Sequence, residues 1–160
     1  MGIESLVEKL QSQPKTVDEH WAGKKQEWID DVAALATNIV EWLSPAVEKH
    51  VARVERRKLA IDEPDTGPYE VDALTIYLGD REVRVEPRGM RVVGVIATGK
   101  DRIVGARGRV DLVSGPARAT ILRRADRTWQ LATVDGWPSD KSAVPLTADT
   151  LADALAELII

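Results

Sequence analysis

Residues 73–86, ALTIYLGDREVRVE, decide the fold class of this chain. Apolar residues alternate with other residues on both sides of the Gly-Asp pair at 79–80. The alternating apolar residues are Leu74, Ile76, Val83 and Val85. A period of two places successive side chains on opposite faces of a strand, and a short link that contains glycine is typical of a hairpin turn. The stretch therefore predicts two antiparallel strands with one apolar face.

The sequence that follows this hairpin continues in the same way. Further strand-like runs, each bounded by turn residues, lie at 90–97, 102–113, 117–124 and 128–134. Their short links predict an antiparallel meander of about six strands, because parallel neighbours would need crossovers of about a dozen residues or more. The run at 90–97, MRVVGVIA, is apolar at nearly every position, so we expect it to be covered on both faces. A bulge is expected in the following strand at Gly105 or Gly108.

The residues before the hairpin have the spacing of helices. Apolar residues predict a short helix over 3–12 and a long helix over 17–43, with a bend or a restart at Ser44-Pro45. Residues 54–61, VERRKLAI, predict an edge strand that its charges protect.

Residues 147–160 predict a docked C-terminal helix with Thr147 as its cap. Together these features predict an α+β fold, in which an antiparallel meander sheet of about six strands packs with a long N-terminal helix and a C-terminal helix. We expect one domain over 1–160, comprising a mainly helical part at 1–61, the sheet at 69–138 and the helix at 147–160.

The aromatic composition is unusual, because the chain has five tryptophans and no phenylalanine. Trp21, Trp28 and Trp42 fall seven or fourteen residues apart on one side of the long helix. Such a narrow stripe has two interpretations: it packs on the protein's own sheet, or it binds a partner or a second copy of the chain. Tryptophan is enriched at interface hot spots, so these three residues are candidate partner-binding residues.

The positive charge is concentrated in the sheet segment. Residues 71–135 hold 12 basic and 8 acidic side chains, whereas the whole chain has a net charge of −4. The candidate anion-binding residues are Arg84, Arg107, Arg109, Arg123 and Arg124. The alternative is a surface ladder in which Asp111 pairs with the arginines beside it. Stacked aromatic residues, which sheets use to bind single-stranded nucleic acid, do not recur on any one strand face.

Signals for catalysis are absent from the sequence. Without cysteine the chain can form no disulfide, no thiolate zinc site and no cysteine nucleophile. Its two histidines, His20 and His50, are about thirty residues apart, and none of the common catalytic or phosphate-binding motifs occurs. We therefore predict no catalytic residues, no metal site and no cofactor.

These observations favour a small bacterial protein without catalytic activity that binds another protein or a second copy of itself. An accessory subunit or an immunity-type binding protein fits this description. The N-terminal residues do not resemble a signal peptide, and no apolar run is long enough to span a bilayer, so a cytoplasmic location and no membrane partner are expected. The alternative is a nucleic-acid or phosphate-binding module that uses the Arg-rich face of the sheet, and an enzyme is the third hypothesis.

Overall fold

The fold is described by a computed structural model that covers residues 3–11, 17–63, 66–90, 106–124, 126–134 and 144–159. Its helices are α1 (Ile3–Gln11), α2 (Val17–Glu48) and α3 (Ala148–Ile159). Its strands are β1 (Ala52–Glu63), β2 (Gly67–Leu78), β3 (Arg81–Gly89), β4 (Ala106–Ser114), β5 (Ala117–Arg124), β6 (Trp129–Val134) and β7 (Val144–Pro145). The predicted α+β class is confirmed.

The seven strands form one antiparallel sheet whose order is the order of the chain, from β1 to β7. The hairpin predicted at 73–86 joins β2 to β3, with Leu74 opposite Val85 and Ile76 opposite Val83. Gly79 has a φ of +62°, a left-handed conformation that glycine adopts without steric cost. The predicted strand at 54–61 lies within β1, which is an edge of the sheet as expected.

The main core lies between one face of the sheet and the helices. The strand pairing aligns Leu74 of β2, Val85 of β3 and Leu112 of β4 on this face. They belong to one buried cluster with residues of α2 and α3. The helical members are Trp28, Val32, Leu35, Ala36, Ile39, Leu151, Ala154, Leu155 and Leu158. Since burying a large apolar side chain contributes roughly 1.5–3 kcal/mol, this cluster holds α2 and α3 against the sheet.

The opposite face of the sheet is also buried at its centre. Ala73 and Val113 alternate with the core-facing Leu74 and Leu112, yet at most 6% of their surface is exposed. The predicted strand at 90–97 lies outside the described residues beyond Met90, which is buried. Residues 135–138, the end of the predicted sheet segment, lie outside them as well.

The end of α2 differs from the prediction, since the helix continues through Pro45 to Glu48 instead of ending at residue 43. Proline has no N–H to donate to the carbonyl oxygen of Glu41, four residues earlier. The Ser44 hydroxyl donates a hydrogen bond to that oxygen at 2.9 Å. The helix therefore passes the proline with the carbonyl group satisfied.

The C-terminal part holds one predicted and one unpredicted element. Thr147 caps α3 as expected, because its side-chain oxygen accepts a hydrogen bond from the Thr150 N–H at 3.2 Å. The short strand β7 was not predicted from the sequence, and it pairs with Gln130 and Leu131 of β6.

A bulge was predicted in β4 at Gly105 or Gly108. The pairing of β4 with β5 shifts between Ala106 and Arg109, a segment that includes Gly108. Because Gly108 has no side chain, the indole ring of Trp28 on α2 can approach β4 at this point, as described below.

Candidate functional site

Trp28 of α2 lies in the interior, where its side chain has no exposed surface. Its ring lies 6.0 Å from that of Trp129 on β6 and 5.4 Å beneath the guanidinium carbon of Arg123 on β5. On β4, a methyl group at Gly108 would overlap the indole atom Cζ3 of Trp28. Trp28 therefore packs on the protein's own sheet, which is the first of the two interpretations of the stripe.

The other members of the tryptophan stripe are less enclosed or lie outside the description. Trp42 is half-buried and packs against the core. The side chain of Trp21 lies outside the described part of the structure. A partner-binding role therefore stays a prediction for Trp21 and Trp42.

Arg123 is also buried, on the helix-covered side of β5, and only 5% of the residue is exposed. Its Nε lies 3.4 Å from Oδ2 of Asp31 on α2. Both carboxylate oxygens of Asp31 accept hydrogen bonds from Arg127, from Nε at 2.9 Å and from Nη2 at 2.7 Å. Burial lowers the pKa of Arg123. The structure thus places this candidate anion-binding residue in the core region, apart from the outward-facing arginines.

Within the described residues, Nε and Nη1 of Arg123 are buried and have no hydrogen-bond partner. Nε1 of Trp28 is also buried and lies near the Tyr69 hydroxyl, which donates to Glu63. Unpaired buried donors carry a desolvation cost. The cation–π contact between Arg123 and Trp28 and the nearby carboxylate of Asp31 offset part of that cost for the guanidinium.

A second buried polar pair lies where β1 joins β2. The Tyr69 hydroxyl donates a short hydrogen bond to the Glu63 carboxylate, and at most 9% of either residue is exposed. Burial and this hydrogen bond raise the pKa of Tyr69. Gly89, with a φ of +148°, approaches so closely that a methyl group there would lie 2.6 Å from Oε1 of Glu63. The pair is enclosed by backbone, which favours a structural role in joining β1, β2 and β3.

The remaining arginines on β3 to β5 surround two carboxylates on the face opposite the helices. Glu86 pairs with Arg84 at 3.1 Å and with Arg88 at 3.3 Å. Asp111, which is only 1% exposed, pairs with Nε of Arg88 at 2.9 Å and with Nε of Arg109 at 2.7 Å. Arg118 lies 4.0 Å from the same carboxylate. Arg84 and Arg109 are therefore held in an internal ion-pair network. The pair of Arg109 with Asp111 is the one that the ladder predicts, although Asp111 is buried and not on the surface.

The two other candidate anion-binding residues lie at the ends of their strands. Arg107 is exposed on β4, and Arg124 is half-buried at the end of β5. Both interact with other groups of the chain. The five candidate arginines therefore do not form one continuous anion-binding surface.

The edge strand β1 carries a second concentration of cations. Asp72 of β2 pairs with Lys58 at 2.5 Å and with Arg56 at 2.6 Å. Arg56 also donates to the Ala33 carbonyl oxygen and to Thr37 Oγ1 of α2, both at 3.0 Å. These contacts tie the edge strand to the helix.

No known family model, curated protein or solved structure matches this chain. Its function is therefore argued from the geometry described above.

Neither a metal centre nor a membrane-spanning helix occurs in the described part of the chain. No group of three or more His, Asp or Glu side chains there could hold a metal ion. None of the helices there combines the length and the apolar character that crossing a bilayer requires.

Sequence reasoning missed the contacts that join distant segments. Asp31 and Arg127 are 96 positions apart, and neither lies in a motif. The inward direction of Arg123 did have a local signal, because Ala119, Ile121 and Arg123 alternate on one face of β5. The sequence did not indicate that this face is the one that α2 covers.

The ion pairs of Asp72 lead to a prediction about pH. The hydrogen bond from Lys58 and the contact with Arg56 lower the pKa of Asp72 in the folded state. The stabilisation is thus fully present above the unfolded-state pKa of about 3.9, and it is lost as the pH falls through the lower folded-state pKa. We expect Asp72→Asn to reduce the unfolding free energy at pH 7, and we expect this difference from the wild type to disappear as the pH falls through the lowered pKa of Asp72.

Urea unfolding from pH 7 to pH 2 measures this difference. Lys58→Met should reproduce part of the change, because Asp72 then keeps only Arg56. A wild-type advantage that stays constant over the whole pH range would contradict the prediction.

Proposed function

We propose that the protein is a non-catalytic interaction module that binds another protein, in the class of accessory subunits or immunity-type binding proteins of the bacterial cytoplasm. The observation that carries this proposal is the exposed apolar side of α1. Ile3, Leu6 and Val7 are 75%, 53% and 42% exposed. Their i, i+3, i+4 spacing is the pattern with which an amphipathic helix enters the apolar groove of a partner.

The ion pairs of Arg84, Arg88 and Arg109 favour a protein-binding function over an anion-binding function. Guanidinium groups that contact Glu86 and Asp111 would have to exchange those carboxylates for phosphate groups. The net charge of −4 also opposes association with a polyanion.

Charged substitutions on the exposed side of α1 test the proposed partner contact. We expect Leu6→Asp with Val7→Asp to leave the thermal unfolding temperature almost unchanged, because both side chains are largely exposed, and to abolish binding of the partner. Affinity purification followed by isothermal titration with the recovered protein measures this loss. Val144→Asp, a similarly exposed valine on β7, is the matched control and should bind normally. Equal binding by the α1 variant and by the control would refute the role of α1.

A binding titration tests the alternative function, a nucleic-acid or phosphate-binding module. We expect labelled DNA and RNA to bind with a dissociation constant no lower than about 100 μM even at low salt. Weak non-specific nucleic-acid binders already reach this affinity, so weaker binding would exclude the module. A fluorescence anisotropy titration at two salt concentrations measures this. Submicromolar binding that weakens with salt and is lost in Arg84→Ala with Arg107→Ala would favour the nucleic-acid module instead.

A further inference from the structure

The outer edge of β1 has unpaired backbone groups along its length. The Val51 carbonyl oxygen accepts a hydrogen bond from the Gly79 N–H at 3.2 Å, and the pairing with β2 runs without a shift from Ala52 to Glu63. In an antiparallel pair, residues that exchange hydrogen bonds alternate with residues whose N–H and C=O groups point away from the partner. The residues pointing to the open edge are therefore Ala52, Val54, Arg56, Lys58, Ala60 and Asp62. Among the described residues, no other strand pairs with this edge.

One side of α2 overhangs the same edge. Ala33 and Thr37, which Arg56 of β1 contacts, share this side with Val40 and Val47 at successive steps of four, three and seven residues. Val40 is 37% exposed and Val47 is 40% exposed. A strand added beside β1 would extend the sheet face that α2 contacts through Arg56, so its side chains on that face would come next to this side of the helix. Apolar side chains there would cover the exposed valines.

The other face of β1 favours a carboxylate opposite Arg57, because two nearby charged residues on that face, Arg53 and Glu55, pair with each other at 2.7 Å. Arg57 lies on this face opposite Ala73 of β2, so its cross-strand neighbour offers no carboxylate. No ion pair or hydrogen bond of the Arg57 side chain occurs in the described part of the chain. In an added antiparallel strand, the residue facing Arg57 would occupy a non-hydrogen-bonded position, where opposite side chains come closest.

A second copy of β1 fits this edge poorly. Symmetric pairing about Arg57 would place Arg57 opposite Arg57 and Arg56 opposite Lys58. Pairing about Arg56 would place Glu55 opposite Arg57, but it would also place Arg56 opposite Arg56. Like charges directly opposite each other destabilise a strand pair. An acidic strand from a partner avoids these repulsive contacts.

We infer that the edge of β1 binds an extended segment of a partner protein in which apolar and acidic residues alternate, by adding it to the sheet as an eighth strand. The apolar side chains cover Val40 and Val47, and a carboxylate pairs with Arg57. This inference rests on the proposed interaction function and names the chemistry of a second contact, separate from α1.

The experiment uses a fluorescein-labelled eight-residue peptide of alternating valine and glutamate, with a valine-lysine peptide as the control. Fluorescence anisotropy with the full chain should show that the acidic peptide binds with a Kd below about 1 mM and at least tenfold more tightly than the basic peptide. Arg57→Glu should weaken acidic-peptide binding about tenfold, since attraction becomes repulsion. Arg81→Glu, an exposed arginine at the start of β3, should leave the affinity unchanged.

Ala60→Pro tests the backbone contact without altering charge. It removes an N–H that faces the open edge, where proline is tolerated, so the variant should unfold at close to the wild-type temperature and lose peptide binding. Ala60→Ser should bind normally. If Ala60→Pro destabilises the fold, Arg57→Glu still tests the site.

Three results would overturn the inference: no acidic-peptide binding by the wild-type chain, binding that is insensitive to Arg57→Glu, or wild-type self-association that Ala60→Pro abolishes. The Leu6→Asp, Val7→Asp variant of α1 distinguishes failure of the β1 inference from failure of the proposed function. If partner binding depends on Leu6 and Val7 while the peptide does not bind, only the β1 inference fails.

Discussion

Trp28→Ala is expected to reduce the unfolding free energy by about 3–5 kcal/mol, the range for truncating a fully buried aromatic side chain. The indole fills the space between α2 and the strands β4, β5 and β6, and its loss leaves a cavity beside Gly108. The change also removes the ring on which the Arg123 guanidinium rests. Chemical denaturation measures the effect.

Trp42→Ala is the control for this experiment, because Trp42 lies on the same helix but is only half-buried. Its effect on stability should be smaller than that of Trp28→Ala. If Trp28→Ala preserved stability but weakened partner binding, Trp28 would be a partner-binding residue and not a core residue.

Asp111→Ala is expected to cost about 2–3 kcal/mol of unfolding free energy. Removing one partner of a buried ion pair costs about 3–5 kcal/mol because the opposite charge stays uncompensated. Here Arg88 and Arg109 are 44% and 22% exposed, so water compensates part of that loss.

The control for Asp111→Ala is Asp153→Ala, which removes an exposed carboxylate from α3. Urea unfolding at pH 7 of both variants should separate them by more than about 1 kcal/mol, since exposed ion pairs contribute less than that. Equal stability of the two variants would mean that the arginines are satisfied without Asp111.

The strands and their order could be predicted because the signal lies within short stretches of sequence. Alternation and the Gly-Asp turn predicted the β2–β3 hairpin, and the charges of residues 54–61 predicted an edge strand. The end of α2 could not be predicted in the same way. Proline normally interrupts a helix, and here the hydroxyl group of Ser44 compensates for the missing N–H.

The candidate site was predicted only in part, for a physical reason. The pairing of Arg109 with Asp111 could be inferred because the residues are two positions apart on one strand. Whether Trp28 and Arg123 face inward depends on which face of the sheet α2 covers, and the sequence pattern gives no direct measure of that. Likewise, the sequence does not show that Arg57 lacks a carboxylate opposite it. Its cross-strand neighbour, Ala73, is identified only by the strand pairing.

The sheet order has a consequence for how the chain folds. Each described strand pairs with the strand next to it in the chain, so the sheet can grow from one hairpin to the next. Contacts between segments that are close in sequence generally form early. The contact of Asp31 with Arg127 instead spans 96 positions, so it cannot form from local segments alone. We therefore expect the core around Trp28, which joins α2 to β4, β5 and β6, to be completed after the hairpins have formed.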